Sequence, residues 1–318
     1  MDARQRVCGG VGRCNVIDAL LLGIGAMVPL PDRPLSSLLV RVGGSLLLFD
    51  CGEGTQVQMR RFHWGFRRLD AICLTHLHAD HVAGLPGLFH TLANAGRTEP
   101  VQIFGPEGTI AAVQGLRVIA QWLPYDMIVQ ELAPGDTFAL PAGLRGTVCA
   151  AEHRVPCLAW RLDLDRQRPF DPDRAQALSV PLTAWSRLQR GEAVDVNGST
   201  VRPEDVLGPP RPGLALGFAT DTRPTVEIAA LMQGVDLLVS EATYALDNEQ
   251  EKAVRHKHMT IREACELARE ASVGSLWLTH FSATIEEPED YARFARETFP
   301  NTEMGHPGLT ATLSFRDE

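Results

Sequence analysis

Apolar residues fall along this chain in two alternating rhythms, short continuous blocks and longer stretches spaced at helical intervals. Residues 18–23 and 36–42 are blocks of the first kind and read as strands, and Gly43-Gly44 is a hairpin turn into a third strand at 45–49. That strand runs into Asp50-Cys51-Gly52-Glu53-Gly54-Thr55-Gln56, whose glycines permit a tight turn into a helix carrying Val57 to Arg61. A buried strand is predicted at 69–74, a helix or turn from Val82, a strand at 101–104 and an amphipathic helix at 109–123. Strands continue from 146 to 164. From 215 onward the order is strand 215–218, helix 224–233, strand 236–239, helix 260–271 and strand 275–278. Between the two halves, residues 166–212 carry prolines at 169, 172, 181, 203, 209, 210 and 212, and read as an excursion from the core rather than a sheet element. There is no tandem repeat.

Composition narrows the setting. With 318 residues and 45% hydrophobic content the chain can bury a substantial core. No apolar run is long enough to cross a bilayer and the first residues lack a secretory pattern, so a cytoplasmic protein is expected. Seven scattered cysteines with no Cys-x-x-Cys pair argue against a disulfide framework. Residues 1–14, with Cys8 and Cys14, are expected to form a disordered extension, and the two thiols could instead bind metal or pair.

A net charge of −9 does not mark a nucleic-acid binder, but its distribution is uneven. Of 30 basic residues only Lys252 and Lys257 are lysine. Arginine suits bidentate phosphate contact, although a GC-rich genome would give the same bias. Arg60, Arg61, Arg67 and Arg68 surround Phe62, Trp64 and Phe66, and the stretch 166–190 holds five arginines, Arg187 and Arg190 among them, against two aspartates. Either cluster could hold RNA by charge and stacking, or be a solvated face.

The chemistry concentrates in His76-Leu77-His78-Ala79-Asp80-His81, three imidazoles and a carboxylate at the end of a strand. On an extended chain His76 and His78 project to the same side and can share a cation, while Asp80 and His81, past the bend, can reach a second one. Burying four such groups without a metal would leave polar atoms unpaired. Other strands also end in potential ligands: His153 after 147–151, Asp221 after 215–218 and His280 after 275–278. The seven together suit two divalent ions sharing a bridge, for which Asp221 is a candidate, and imidazole with carboxylate suits zinc or, as a harder substitute, manganese. A water bridging two such ions would be ionised near neutral pH and could attack phosphorus in line.

With these motifs the chain resembles the metallo-β-lactamase superfamily, through His76-x-His78-x-Asp80-His81, and within it the short form of the ribonuclease Z family, endonucleases that trim the 3′ trailer of transfer-RNA precursors. The narrower resemblance is carried by Asp50-Cys51-Gly52-Glu53-Gly54-Thr55-Gln56, Gly84-Leu85-Pro86-Gly87-Leu88, His153-Arg154-Val155-Pro156, Asp221-Thr222-Arg223-Pro224, Glu241-Ala242-Thr243-Tyr244, His258-Met259-Thr260 and Leu278-Thr279-His280-Phe281-Ser282. It implies a four-layer αββα sandwich over residues 15–318 with an inserted arm at about 166–212, and a homodimer. By matching positions it implies one metal on His76, His78 and His153, another on Asp80, His81 and His280, and Asp221 between them. The same transfer makes His258 the proton donor with Glu241 orienting it, so that Asp80, His258 and Glu241 are the catalytic candidates.

The chain departs from the family's pattern at Ile24, at Arg33-Pro34, at Thr220 and at Thr284-Ile285. In the arm, Val180-Pro181-Leu182-Thr183-Ala184-Trp185 replaces a glycine-proline motif that helps grip transfer RNA. These departures bear on substrate and not on the metal ligands. A precursor transfer RNA is the expected substrate; the alternatives are a small-molecule phosphodiesterase or esterase on the same fold, and a non-catalytic RNA-binding protein.

Overall fold

Two seven-stranded sheets organise the chain, and the computed structural model describes residues 16–315 of it. The extension expected at 1–14, with Cys8 and Cys14, lies outside the described residues. In space the first sheet runs Thr310–Ser314, Val16–Gly23, Ser37–Val42, Ser45–Phe49, Leu69–Cys73, Val101–Gly105 and Met127–Glu131. Its first four strands pair antiparallel, the Gly43-Gly44 turn with both φ positive closing the hairpin, and the remainder pair parallel. The second sheet runs Thr302–Met304, Leu276–Thr279, Leu237–Glu241, Arg211–Ala219, Leu158–Arg166, Arg145–Ala150 and Thr137–Ala139. Here the strands from 211 onward pair parallel and those from 137 to 166 antiparallel.

Parallel pairing demands crossovers, and each is a helix whose apolar stripe lies on a sheet. Leu85, Leu88, Phe89 and Leu92 of helix Leu85–Asn94 join Leu20, Leu48, Ile72 and Leu74 in one buried cluster. Helix Ile261–Glu270 packs on the strands Leu237–Glu241 and Leu276–Thr279, and its start is fixed by a capping box between Thr260 and Glu263, a device worth about 1 kcal/mol. The inner faces of the sheets meet through Phe49, whose ring lies 5.8 Å from Trp160 and 5.4 Å from Phe218. All three rings are fully buried, so Phe49→Ala would cost roughly 3–5 kcal/mol. Helices therefore flank a two-sheet sandwich in the αββα order.

The chain divides into a large unit, up to Leu164 and again Ala215–Ser314, and a small one, Asp165–Leu214. The small unit has its own core of Ala175, Val180, Leu188, Val194, Val206 and neighbours. It holds helices Pro172–Ala177, Leu182–Gln189 and Pro203–Val206 and a hairpin of Val194–Val196 with Ser199–Val201.

Three expectations change. The helix predicted over 109–123 stops at Arg117, because the apolar positions beyond it, Val118, Ile119 and Trp122, face solvent and Pro124 disfavours helix before it. The stretch 166–212 is not free of sheet: Asn197-Gly198, both at positive φ, turns the hairpin, a strong signal overshadowed by the prolines. The strands Met127–Glu131, Thr302–Met304 and Thr310–Ser314 escape the hydrophobic pattern, each being short and half polar.

Candidate metal centre

The carboxyl ends of the parallel strands carry most of the polar residues that the sequence singles out, the usual place for a site in an open α/β sheet, and His153 joins them from the end of the antiparallel strand Arg145–Ala150. After strand Leu69–Cys73 the chain is pinned by Thr75, whose N–H and hydroxyl both donate to the buried Asp50 at 2.8 Å. This fixes the turn in which His76 and His78 follow, their Nε2 and Nδ1 only 2.9 Å apart. The short helix Ala79–Val82 then presents Asp80 and His81. Two glycines let the loop after strand Ser45–Phe49 press on this helix: a Cβ on Gly52 would stand 2.2 Å from the Asp80 carbonyl oxygen, and one on Gly84 2.0 Å from that of Gly52.

The seven candidate ligands converge as two sets, His76, His78, His153 and Asp221 in one and Asp80, His81 and His280 in the other, with ligand atoms of each set within 4.8 Å of one another. Asp221 faces both. Its Oδ2 lies 3.7 Å from His76 Nε2 and 3.9 Å from His153 Nε2, while its Oδ1 lies 3.3 Å from His81 Nε2 and 3.1 Å from His280 Nε2. Asp80 Oδ2 is 3.5 Å from His81 and 3.7 Å from His280, and accepts the Met27 N–H at 2.8 Å. Asp50, Asp221 and His280 all adopt left-handed φ, at 57°, 54° and 56°. Residues of this kind tolerate that region at a cost, which the surrounding structure maintains.

Protonation follows from the packing. Burial and the charge of His81 hold the His76 imidazole well below its ordinary pKa, and burial lowers that of His153. Burial would raise the carboxyls of Asp80 and Asp221, but the imidazoles facing them outweigh it and hold both well below the usual range. His81 goes the other way: burial is outweighed by Asp221 and Asp50, and its pKa rises. Ionised carboxylates and neutral imidazoles are the forms that ligate, and a cation would replace the proton that two carboxylates hold on His81. The donor set therefore fits a pair of divalent ions: imidazole nitrogens directed at one another and at carboxylates have too few protons to satisfy every contact.

His258 sits at the rim. Its Nδ1 is 3.1 Å from Glu241 Oε1 and 3.3 Å from Thr243 Oγ1, and its ring stacks on that of His280. Burial would lower its pKa, but the buried Glu241 carboxylate outweighs this and raises it to about 9. Glu241 is itself held by the N–H groups of Thr222 and Met259 and by the Thr243 hydroxyl. His258 also lies within ligand range of Asp221 and His280, so geometry permits it either use. A cavity of about 500 Å³ opens over these groups, lined also by Met27, Arg154, Tyr244 and Ser282.

The arginines expected to meet RNA are not part of this cluster. Arg60, Arg61, Arg67 and Arg68 are exposed at and after helix Thr55–Arg61. Arg187 and Arg190 belong to the small unit, where both bond Glu192, at 3.0 and 3.3 Å. Sequence reasoning gives no task to Asp50, Thr75, Thr243, Arg223 or Glu263. Asp50 orients His81 through a 2.7 Å contact to Nδ1, and Thr243 links Glu241, His258 and His280. Arg223 donates to the His258 carbonyl and to Glu263. Asp50 has the same signal as Asp221, a carboxylate at a strand end; Thr243 has only its spacing two residues after Glu241.

Two family models match the chain, the metallo-beta-lactamase superfamily over residues 30–129 and a beta-lactamase superfamily domain over 163–281. Among curated relatives, ribonuclease Z of Clostridium kluyveri is 41% identical, covering 95% of this chain and 100% of its own, and that of Clostridium beijerinckii is 42% identical with the same coverage. Among solved structures, the short form of human tRNase Z superposes with a TM-score of 0.67 at 24% identity, covering 92% of this chain and 98% of its own. The metallo-beta-lactamase fold protein YhfI of Bacillus subtilis gives 0.68 at 19% identity, with 94% and 99% covered.

Proposed function

The chain belongs to the ribonuclease Z family of the metallo-β-lactamase superfamily, and on that premise we propose that it is an endonuclease removing the 3′ trailer of transfer-RNA precursors. The observation that carries the reading is Asp221, whose two oxygens face separate sets of imidazoles. In this reading His76, His78 and His153 would hold one divalent cation and Asp80, His81 and His280 a second, with Asp221 placed to serve either. Zinc suits the imidazole-rich set, with manganese as a harder substitute. Such ions, when bound, supply positive charge to the phosphate oxygens and acidify the water that attacks phosphorus.

The remaining chemistry falls to the chain's own groups. His258 donates its Nδ1–H to Glu241, which leaves Nε2 to protonate the oxygen that departs from phosphorus. Glu241 stabilises the charged imidazolium and, once Nε2 has given up its proton, keeps the remaining one on Nδ1; Thr243 ties the same carboxylate to His280. A cytoplasmic homodimer, which the family resemblance supports, completes the proposal.

One observation favours a second reading, hydrolysis of small phosphodiesters. Where the family's arm has its glycine-proline motif, this chain begins helix Leu182–Gln189 at Pro181. The two readings separate in one assay, in which metal-loaded protein is offered precursor transfer RNA and small chromogenic diesters. Cleavage at the 3′ trailer with a far higher kcat/KM than any diester supports the first; diesters cleaved well and precursor left intact would overturn it.

A further inference from the structure

The strongest charge feature outside the metal centre is the segment from Arg60 to Arg68. Its basic and aromatic residues alternate, and the structure sorts them. Arg60, Arg61, Arg67 and Arg68 are exposed, whereas Phe62, Trp64 and Phe66 are half-buried and pack against the main core cluster. Among the described residues none of the four guanidiniums reaches a carboxylate, in a chain whose net charge is −9. Three exposed arginines of the small unit, Arg174, Arg187 and Arg190, differ in this respect, since each has an acidic partner.

The segment is also rigidly supported. Arg97, 1% exposed, bonds the Arg67 carbonyl at 2.8 Å, Asp70 at 3.2 Å and the carbonyl of Glu99 at 2.8 Å, so a buried guanidinium fastens the loop from beneath. Arg41 stacks on Trp64 at 4.4 Å, and Arg60 lies over Phe66 at 5.6 Å. Arg61 likewise lies over Phe62 at 5.7 Å, and four cations without an ion-paired carboxylate among the described residues, held on a fixed frame, are suited to a partner whose negative charges are also at fixed spacing.

We propose that Arg60, Arg61, Arg67 and Arg68 form a second anchor for the RNA substrate, binding its phosphates at a distance from the scissile bond. The inference rests on the ribonuclease reading above and adds to it where the substrate lies on the large unit. Position supports it. Helix Thr55–Arg61 starts at the loop that abuts Asp80, with the Thr55 hydroxyl bonded to the Gly52 carbonyl. At about 1.5 Å per residue its far end lies roughly 9 Å along the axis. Arg60 and Arg61 close that helix, while Arg67 and Arg68 stand before strand Leu69–Cys73, at its opposite end from the candidate ligands, where the Leu46 N–H bonds the Arg68 carbonyl at 2.7 Å; a substrate that runs along the outside of the sheet, as a folded precursor is large enough to do, meets all four. The contact is to backbone and not to base edges, so it gives affinity and register without sequence preference.

The test uses full-length, metal-loaded protein and the variant R60Q/R61Q/R67Q/R68Q, with R293Q/R296Q as a control that removes two acid-paired arginines. Binding of precursor transfer RNA is measured against salt, beside a short RNA spanning the same scissile bond, a small diester, and anionic lipid vesicles. The quadruple variant should lose about 3 in the slope of log affinity against log salt for the precursor, at roughly 0.7–0.9 per phosphate contact. Its affinity at moderate salt should fall at least about tenfold. It should cleave the short RNA and the diester as the wild type does, and the control should keep its slope. An unchanged slope in a variant that still cleaves precursor would overturn the anchor and leave the ribonuclease reading intact. A wild type that hydrolyses the diester but never the precursor would overturn that reading instead. Loss of vesicle binding without loss of RNA binding would assign the patch to a membrane surface and also refute the proposal.

Discussion

The candidate metal centre and the small unit Asp165–Leu214 differ in what holds their charged residues. In the centre every candidate ligand but His78 and Asp80 is buried or nearly so, and each has a partner from a distant part of the chain: Asp50 for His81, Asp80 and Asp221 for His280, Glu241 for His258. In the small unit Arg174, Arg187 and Arg190 are exposed and pair within a few residues, Arg174 with Asp171 and the other two with Glu192. Buried long-range contacts constrain residue type strongly, because an unpaired partner is costly. Exposed local pairs are worth little and are exchanged freely. The chemistry of the molecule is therefore written in its strand ends, and its choice of substrate in surfaces that vary more easily.

That contrast sets the order of expected effects. The largest belongs to the acid: His258→Ala should keep its fold and metal content yet lose roughly 10²–10⁴-fold in turnover, with a smaller loss on a substrate whose leaving group needs no proton. Unchanged rates on both good and poor leaving groups would remove His258 from catalysis, and loss of metal would make it a ligand. Next comes Asp50→Asn, which removes the carboxylate on His81 Nδ1 while Asp221 still faces Nε2; metal affinity or activity should fall by about 10–100-fold, read by competition with a chelator.

A pH profile sharpens the same region. The Glu241 carboxylate raises the pKa of His258, so activity that needs its protonated form should be kept at neutral pH and fall on the alkaline side. Glu241→Gln removes the charge that opposes burial, and the alkaline limb should move to lower pH. A limb that stays in place in this variant would show that another group sets it. The smallest effect is expected in the small unit. R187Q/R190Q should lower the salt slope for precursor RNA by less than the roughly 2 that two free phosphate contacts would give, since both cations already share Glu192.

Much of the molecule is legible in its sequence. The strand blocks at 69–74, 215–218 and 275–278 and the ligands at their ends follow from periodicity and from the dense His76-to-His81 run. The sandwich order and the pairing of ligands into sets come from resemblance. What escapes has physical reasons. The tail of the 109–123 helix misleads because exposed Ile119 and Trp122 continue an apolar rhythm that packing does not use. Thr243 and Arg223 escape because a hydroxyl and a guanidinium acquire their roles only when Glu241, His258 and Glu263 are brought beside them. The strand Met127–Glu131 is half exposed, and its pairing with Val101–Gly105 depends on a partner far from any local signal.

Elemental analysis of active protein purified without chelator, alongside Asp221→Ala, bears most directly on the two-metal centre. About two divalent ions per chain are expected in the wild type, with the variant losing metal and falling roughly 10²–10³-fold in precursor cleavage. A stoichiometry near zero in active protein, or an Asp221→Ala variant that keeps both ions and full activity, would contradict the bridged centre.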